Sequence, residues 1–188
     1  MTAATTGTGR YQELTADLAG WTAAAALHVY VSSGLSRAET IAAIAAVVAA
    51  GNAAAATLAA LFVATSVERA TRAATPPTGI APPVDDTERL ARAVATVLDD
   101  TAADPSASMR LERLARSEVL DTGQQTVAEI ITQLPVVTGW RRVLDADPCE
   151  RCVRWAEDGR IFPKDAHFKR HYGCNCQTEI VTMERKAP

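Results

Sequence analysis

The stretch IAAIAAVVAAGNAAAATLAALFVA, from Ile41 to Ala64, decides the fold class. Its 24 positions carry no charge, and 13 of them are alanine. Alanine has the best helix propensity and little preference for strands, so the stretch reads as helix. Its length would also cross a bilayer. Gly51-Asn52 interrupts the middle, however, and neither an aromatic belt nor a strong Lys/Arg asymmetry brackets the ends. The better reading is a helix buried between other helices, with no membrane involved.

Working outward, Leu14, Leu18, Trp21, Ala25, Leu27 and Val29 recur mostly at helical spacing, which predicts an amphipathic helix from Tyr11 to Val31. Ser32-Ser33-Gly34 breaks it. Ser36 with Glu39 three residues later is a capping-box signature, opening a helix that continues to about Ala74, where Thr75-Pro76-Pro77 stops it. Four prolines between Thr75 and Asp86 make a linker. Helical spacing returns over Thr87–Asp100 and Ser106–Gln133, with Asp104-Pro105 marking the start of the longer segment. After Pro135 the pattern changes to β-branched and aromatic residues, so Val136 to Leu144 reads as a strand.

That strand leads into the only cysteines of the chain, Cys149-Glu-Arg-Cys152 and His171-Tyr-Gly-Cys174-Asn-Cys176. The N-terminus lacks a basic segment followed by an apolar one, so a secretory signal is not expected and a reducing compartment is. There, clustered cysteines more often bind metal than form disulfides. Two thiolates with two residues between them wrap one ion in a tight turn, and soft thiolates with an imidazole select zinc, or less readily iron. Four of Cys149, Cys152, His171, Cys174 and Cys176 suffice. The favoured set is Cys149, Cys152, His171 and either Cys176 or Cys174, with an all-cysteine site and an outlying His171 as the competitor. Between the halves, Asp158-Gly159 within Trp155–Phe162 suggests a hairpin turn and a short ribbon.

The expected architecture is therefore mainly α, a helical N-terminal body with a small C-terminal zinc-binding β/loop module. Residues 1–74 form an Ala-rich helical region, 75–86 a Pro-rich linker, 87–135 a second helical region and 136–188 the zinc-binding module. A catalytic zinc would need an open coordination position and a nearby base. Asp165 and His167 alone do not make that case, so no catalytic residue is assigned and the zinc is read as structural. Charge is uneven: residues 138–188 hold ten Lys/Arg and eight Asp/Glu, against nine and fourteen upstream. Such an excess permits contact with DNA without arguing for it.

The order C-x-x-C, Gly159-Arg160-Ile161-Phe162, then H-x-x-C-x-C resembles the C-terminal signature of phage head-morphogenesis proteins of the MuF type. Arg113-Leu-Ala-Arg116-Ser-Glu118-Val is similar to that family's Arg-Thr-Glu helix, followed by a Trp-Arg-Arg-Val strand. Lys169-Arg170 stand where the family usually has a proline before the histidine. The resemblance implies a minor capsid component, present in few copies inside the virion near the portal and in the host cytoplasm during assembly. Its implied partners are the portal protein, the major capsid protein or further copies of itself, with packaged DNA as a further contact. Two other classes compete: a zinc ribbon that binds nucleic acid, and a small zinc-containing nuclease. Trp155, Phe162, Phe168 and Tyr172 lie near Arg151, Arg154, Lys164, Lys169 and Arg170, which would suit the ribbon. The plainer account makes those aromatics the miniature core of the metal knot.

Overall fold

The structure, a computed structural model, describes residues 7–32, 34–79, 86–99 and 106–183. Four long helices form the body: α1 (Gly7–Ser32), α2 (Arg37–Thr71), α3 (Asp86–Asp99) and α4 (Ala107–Gln133). They are followed by β1 (Val137–Val143), a short α5 (Glu150–Ala156), β2 (Phe162–Pro163) and β3 (Gln177–Thr182). The chain is mainly α with a small C-terminal strand region, as its composition indicates.

Ser36 caps α2 as a full capping box, its hydroxyl facing the Glu39 amide while the Glu39 carboxylate accepts from the Ser36 amide. The helix ends at Arg72, which takes a left-handed conformation (φ 55°). Contrary to the expected interruption, α2 runs straight through Gly51-Asn52. Gly51 sits where α1, α2 and α4 cross, and a Cβ there would lie 2.6 Å from Thr22 Oγ1 and 3.0 Å from Val119 Cγ2. Its lack of a side chain serves close helix approach, and the packing outweighs its poor helix propensity. By length and composition α2 could cross a membrane. In the fold its charge-free stretch packs against α1, α3 and α4, burying Ile44, Val48, Ala55, Ala59 and Val63.

The buried face of α1 differs in phase from the expected one. Tyr11, Thr15, Ala19, Thr22 and Ala26 point inward, while Trp21 is 72% exposed and Ala25 faces outward. The residues that go inside are mostly small, because larger ones would hold α1 away from α2 and α4; Leu14, Leu18, Leu27 and Val29 lie half-buried on the flanks. Met109, in the first turn of α4, is likewise exposed. Asp86, read as linker, begins α3, whereas Asp104-Pro105 lies outside the described residues.

The three strands are antiparallel in the order β2-β1-β3. Gly139 lets β2 approach, since a Cβ there would meet the Phe162 carbonyl oxygen at 2.4 Å. The expected ribbon between the two cysteine pairs is instead a helix, α5, ended by three successive left-handed residues, Glu157, Asp158 and Gly159. Asp158-Gly159 does turn the chain, but from a helix into the two-residue β2. The sheet does not have a core of its own. Val137, Trp140, Phe168, Cys152, Cys174 and Cys176 share one cluster with Tyr11, Phe62, Val63, Val127 and Ile131 of the helices.

Candidate metal centre

After β1 the chain turns through Asp145–Pro148 and places Cys149 at the N-cap of α5 (φ −70°, ψ 158°). The backbone N–H groups of Cys152 and Arg151 point at its sulfur and hold the Cys149 thiol below the ordinary range. One turn later Cys152 faces the interior, 1% exposed. The second half is a tight turn in which the Cys174 amide donates to the His171 carbonyl (3.1 Å), with Gly173 at φ 73°. It buries Cys174 and Cys176 just before β3.

All five side chains singled out from the sequence come together. Cys149, Cys152 and His171 form one trio and Cys152, Cys174 and Cys176 another, so Cys152 belongs to both and the cluster could hold a metal ion. His171 Nε2 lies 3.3 Å from Cys149 Sγ and 3.0 Å from Cys152 Sγ, and Cys152 Sγ lies 3.5 Å from Cys174 Sγ. A tetrahedral ion with bonds of ~2.0 to 2.3 Å puts neighbouring ligand atoms roughly 3.5–3.8 Å apart, close to this spacing. The four thiols are free. His171 Nδ1 is 3.0 Å from the Tyr172 carbonyl, which only accepts, so Nδ1 carries the proton. In the neutral ring Nε2 then offers its lone pair toward the sulfurs, the tautomer a metal ligand requires.

Burial pushes the Cys152 thiol up, and the neighbouring Cys176 sulfur, together with burial, does the same to Cys174. Cys176 is held low by the Cys174 S–H and the Asp145 amide. Sulfurs this close cannot all ionise unaided; a divalent cation would remove the conflict.

Four side chains that the sequence reading passed over complete the centre. Arg142, on β1 and 5% exposed, stacks its guanidinium over Phe168 at 3.9 Å, donates to the Lys169 carbonyl, and brings Nη1 within 4.0 Å of Cys174 Sγ. Among the described residues no carboxylate pairs with it. A buried guanidinium needs an anion, and the cluster's sulfurs, Cys176 above all, are the acids it faces. Gln124 of α4 donates to the Cys174 and Cys176 carbonyls at 2.7 and 2.8 Å. Gln12 of α1 donates to the Leu144 and Asn175 carbonyls, both at 3.2 Å, and Asn175 Nδ2 donates back to the Gln12 carbonyl at 2.9 Å. The helices thus hold the backbone of the ligand loop. A signal existed for Arg142, because strand alternation puts it on the same face as Trp140. Gln124 also stands inside an apolar helical stripe.

The other candidates separate. Asp165 and His167 are exposed and belong to neither trio. Of the aromatics, Phe162 and Phe168 pack on Trp140 at 4.5 and 5.1 Å between ring centroids, and Trp155 lies beside the His171 ring at 6.0 Å. Only Tyr172 of that set is exposed.

No curated protein and no solved structure matches the sequence. A family match does exist, over residues 8–188, and it takes in the helical body, the sheet and all five clustered side chains. The chain belongs to the VG15 protein family, a viral family of phage type.

Proposed function

We propose that the protein is a structural component of a tailed-phage head, a minor capsid or head-morphogenesis protein of the MuF type, stabilised by one structural zinc ion. The observation that carries the structural reading is the position of the cluster: Cys152, Cys174 and Cys176 lie in the same core as Tyr11, Phe62, Val127 and Ile131. An ion held there ties α5 and the ligand loop to the helical body, so its binding energy becomes folding energy. The thiolate-rich donor set suits zinc. Cys149, Cys152 and His171 would supply three ligands and Cys174 or Cys176 the fourth, and no catalytic role is proposed.

Membership of a phage-type family and the likeness of Arg113–Val119 and Cys149–Cys176 to the MuF signature support the head role. The helical body is the proposed docking surface for the portal protein, the inner face of the major capsid protein, or further copies. It leaves Trp21, Val31, Leu35 and Leu61 exposed, from 44% to 73%. The site of action is the capsid interior, after assembly in the host cytoplasm. The test is co-expression with the neighbouring structural genes, with mass spectrometry of purified particles. Replacing the exposed Trp21, Val31 and Leu61 together by Ser should leave the chain folded but reduce its incorporation relative to the wild type; particles that never contain the full chain would overturn the head role.

A further inference from the structure

Beside the cluster lies an open concavity of about 560 Å³ whose wall includes Cys149 and His171 and whose rim carries Arg113 of α4 with Arg151 and Arg154 of α5. We propose that this concavity binds the phosphate backbone of a nucleic acid, a specific site for the DNA contact that the head role only implies, and one that would hold for the folded chain in any setting.

The arginines of this chain are not all held alike. Many are neutralised locally: Arg10 pairs with Glu13, Arg92 with Glu88, Arg116 with Glu112, Arg141 with Glu179 and Arg160 with Glu157, whereas three that are not converge on this one concavity. Among the described residues, Arg113, Arg151 and Arg154 have no carboxylate within ion-pair distance. Glu150 is the one acid on the same wall. A three-thiolate zinc centre would add one negative charge, and the buried Arg142 beside Cys174 offsets it. The rim thus keeps a net positive charge in a chain whose formal net charge is −3. Any polyanion that this chain binds must use a local patch such as this one.

The side-chain types select among anions. Guanidinium forks bind phosphate oxygens in pairs, which suits a repeated phosphodiester. Arg113 also lies over the Tyr172 ring at 4.5 Å, and the ring is 49% exposed. An arginine-backed aromatic at the edge of a basic cleft offers a face to a sugar or base. An acidic protein segment would use the charges but not the ring, so the nucleic acid is the better match.

The test uses the full, metal-loaded chain with fluorescently labelled single-stranded and duplex oligonucleotides over a salt series. Replacing Arg113, Arg151 and Arg154 together by Gln should weaken binding at low salt by roughly ten-fold or more and reduce the slope of log K against log salt by about 2 to 3. The charge-matched control, Arg10→Gln with Arg92→Gln and Arg160→Gln, should change neither. Metal content and thermal midpoint confirm that each variant is folded, and Arg113→Lys should retain most of the salt slope. Equal losses in the two triple variants, or wild-type binding no tighter than that of the Gln variant, would overturn the proposal. Polyglutamate competing as well as DNA would transfer the site to an acidic protein partner. Particle incorporation is read in a separate experiment, so failure here leaves the head role standing.

Discussion

Where α1, α2 and α4 meet, the interior is alanine, threonine and Gly51 at close range with Val119 and Leu120; around β1 it is Trp140, Phe168, three thiols and a buried guanidinium. The first region gains stability from many small contacts, none decisive. The second buries Arg142, Gln124, Asn175 and Gln177, groups that cost free energy unless their partners are in place. Small-residue packing should therefore fail gradually, and the metal end abruptly. Because the two regions share a core, failure of the second should reach the first.

The sharpest way to break this contrast is Cys152→Ser. The side chain belongs to both trios and is 1% exposed, so the variant should lose its metal and about 4 kcal/mol or more of stability in denaturant unfolding. Cys149→Ser, at an exposed position, should cost less. Next comes Arg142→Met, which removes the cation facing the thiolates while keeping volume; a loss of about 3 kcal/mol with weaker metal retention is expected, and no loss would mean that the cluster carries no negative charge. In the helical body, Gly51→Val forces a branched side chain against Thr22 and Val119, and overpacking there should cost about 2 kcal/mol without altering metal content. The smallest effect belongs to Trp21→Ala. At 72% exposure it should change the stability of the isolated chain by no more than about 0.5 kcal/mol, yet reduce particle incorporation if α1 docks through that face.

Much of this was legible in the sequence, for reasons that differ by element. The cap at Ser36 was readable because a capping box is a local hydrogen-bond pattern. The five clustered side chains were readable because turn geometry limits how far apart C-x-x-C and H-x-x-C-x-C ligands can stray. The buried face of α1 was not: a stripe of the largest apolar residues is a poor guide when the neighbours demand small ones, and Trp21 was the clearest casualty. Nor was α5, whose seven residues gave too short a period to outweigh the Asp158-Gly159 turn signal. The polar side chains that fix the ligand loop, Gln12 and Gln124, act across long sequence separations. Such contacts leave no local mark.

The claim that one ion ties the thiolate cluster to the helical core is tested most directly by elemental analysis joined to thermal unfolding. The protein should be purified without added metal and followed by far-ultraviolet circular dichroism and tryptophan fluorescence, before and after chelation. The account predicts about one zinc per chain. It also predicts that chelation lowers the midpoint of the helical signal together with that of the tryptophan signal, because the two regions share a core. A metal-free chain with an unchanged midpoint would contradict it, as would a disulfide joining Cys152 to Cys174.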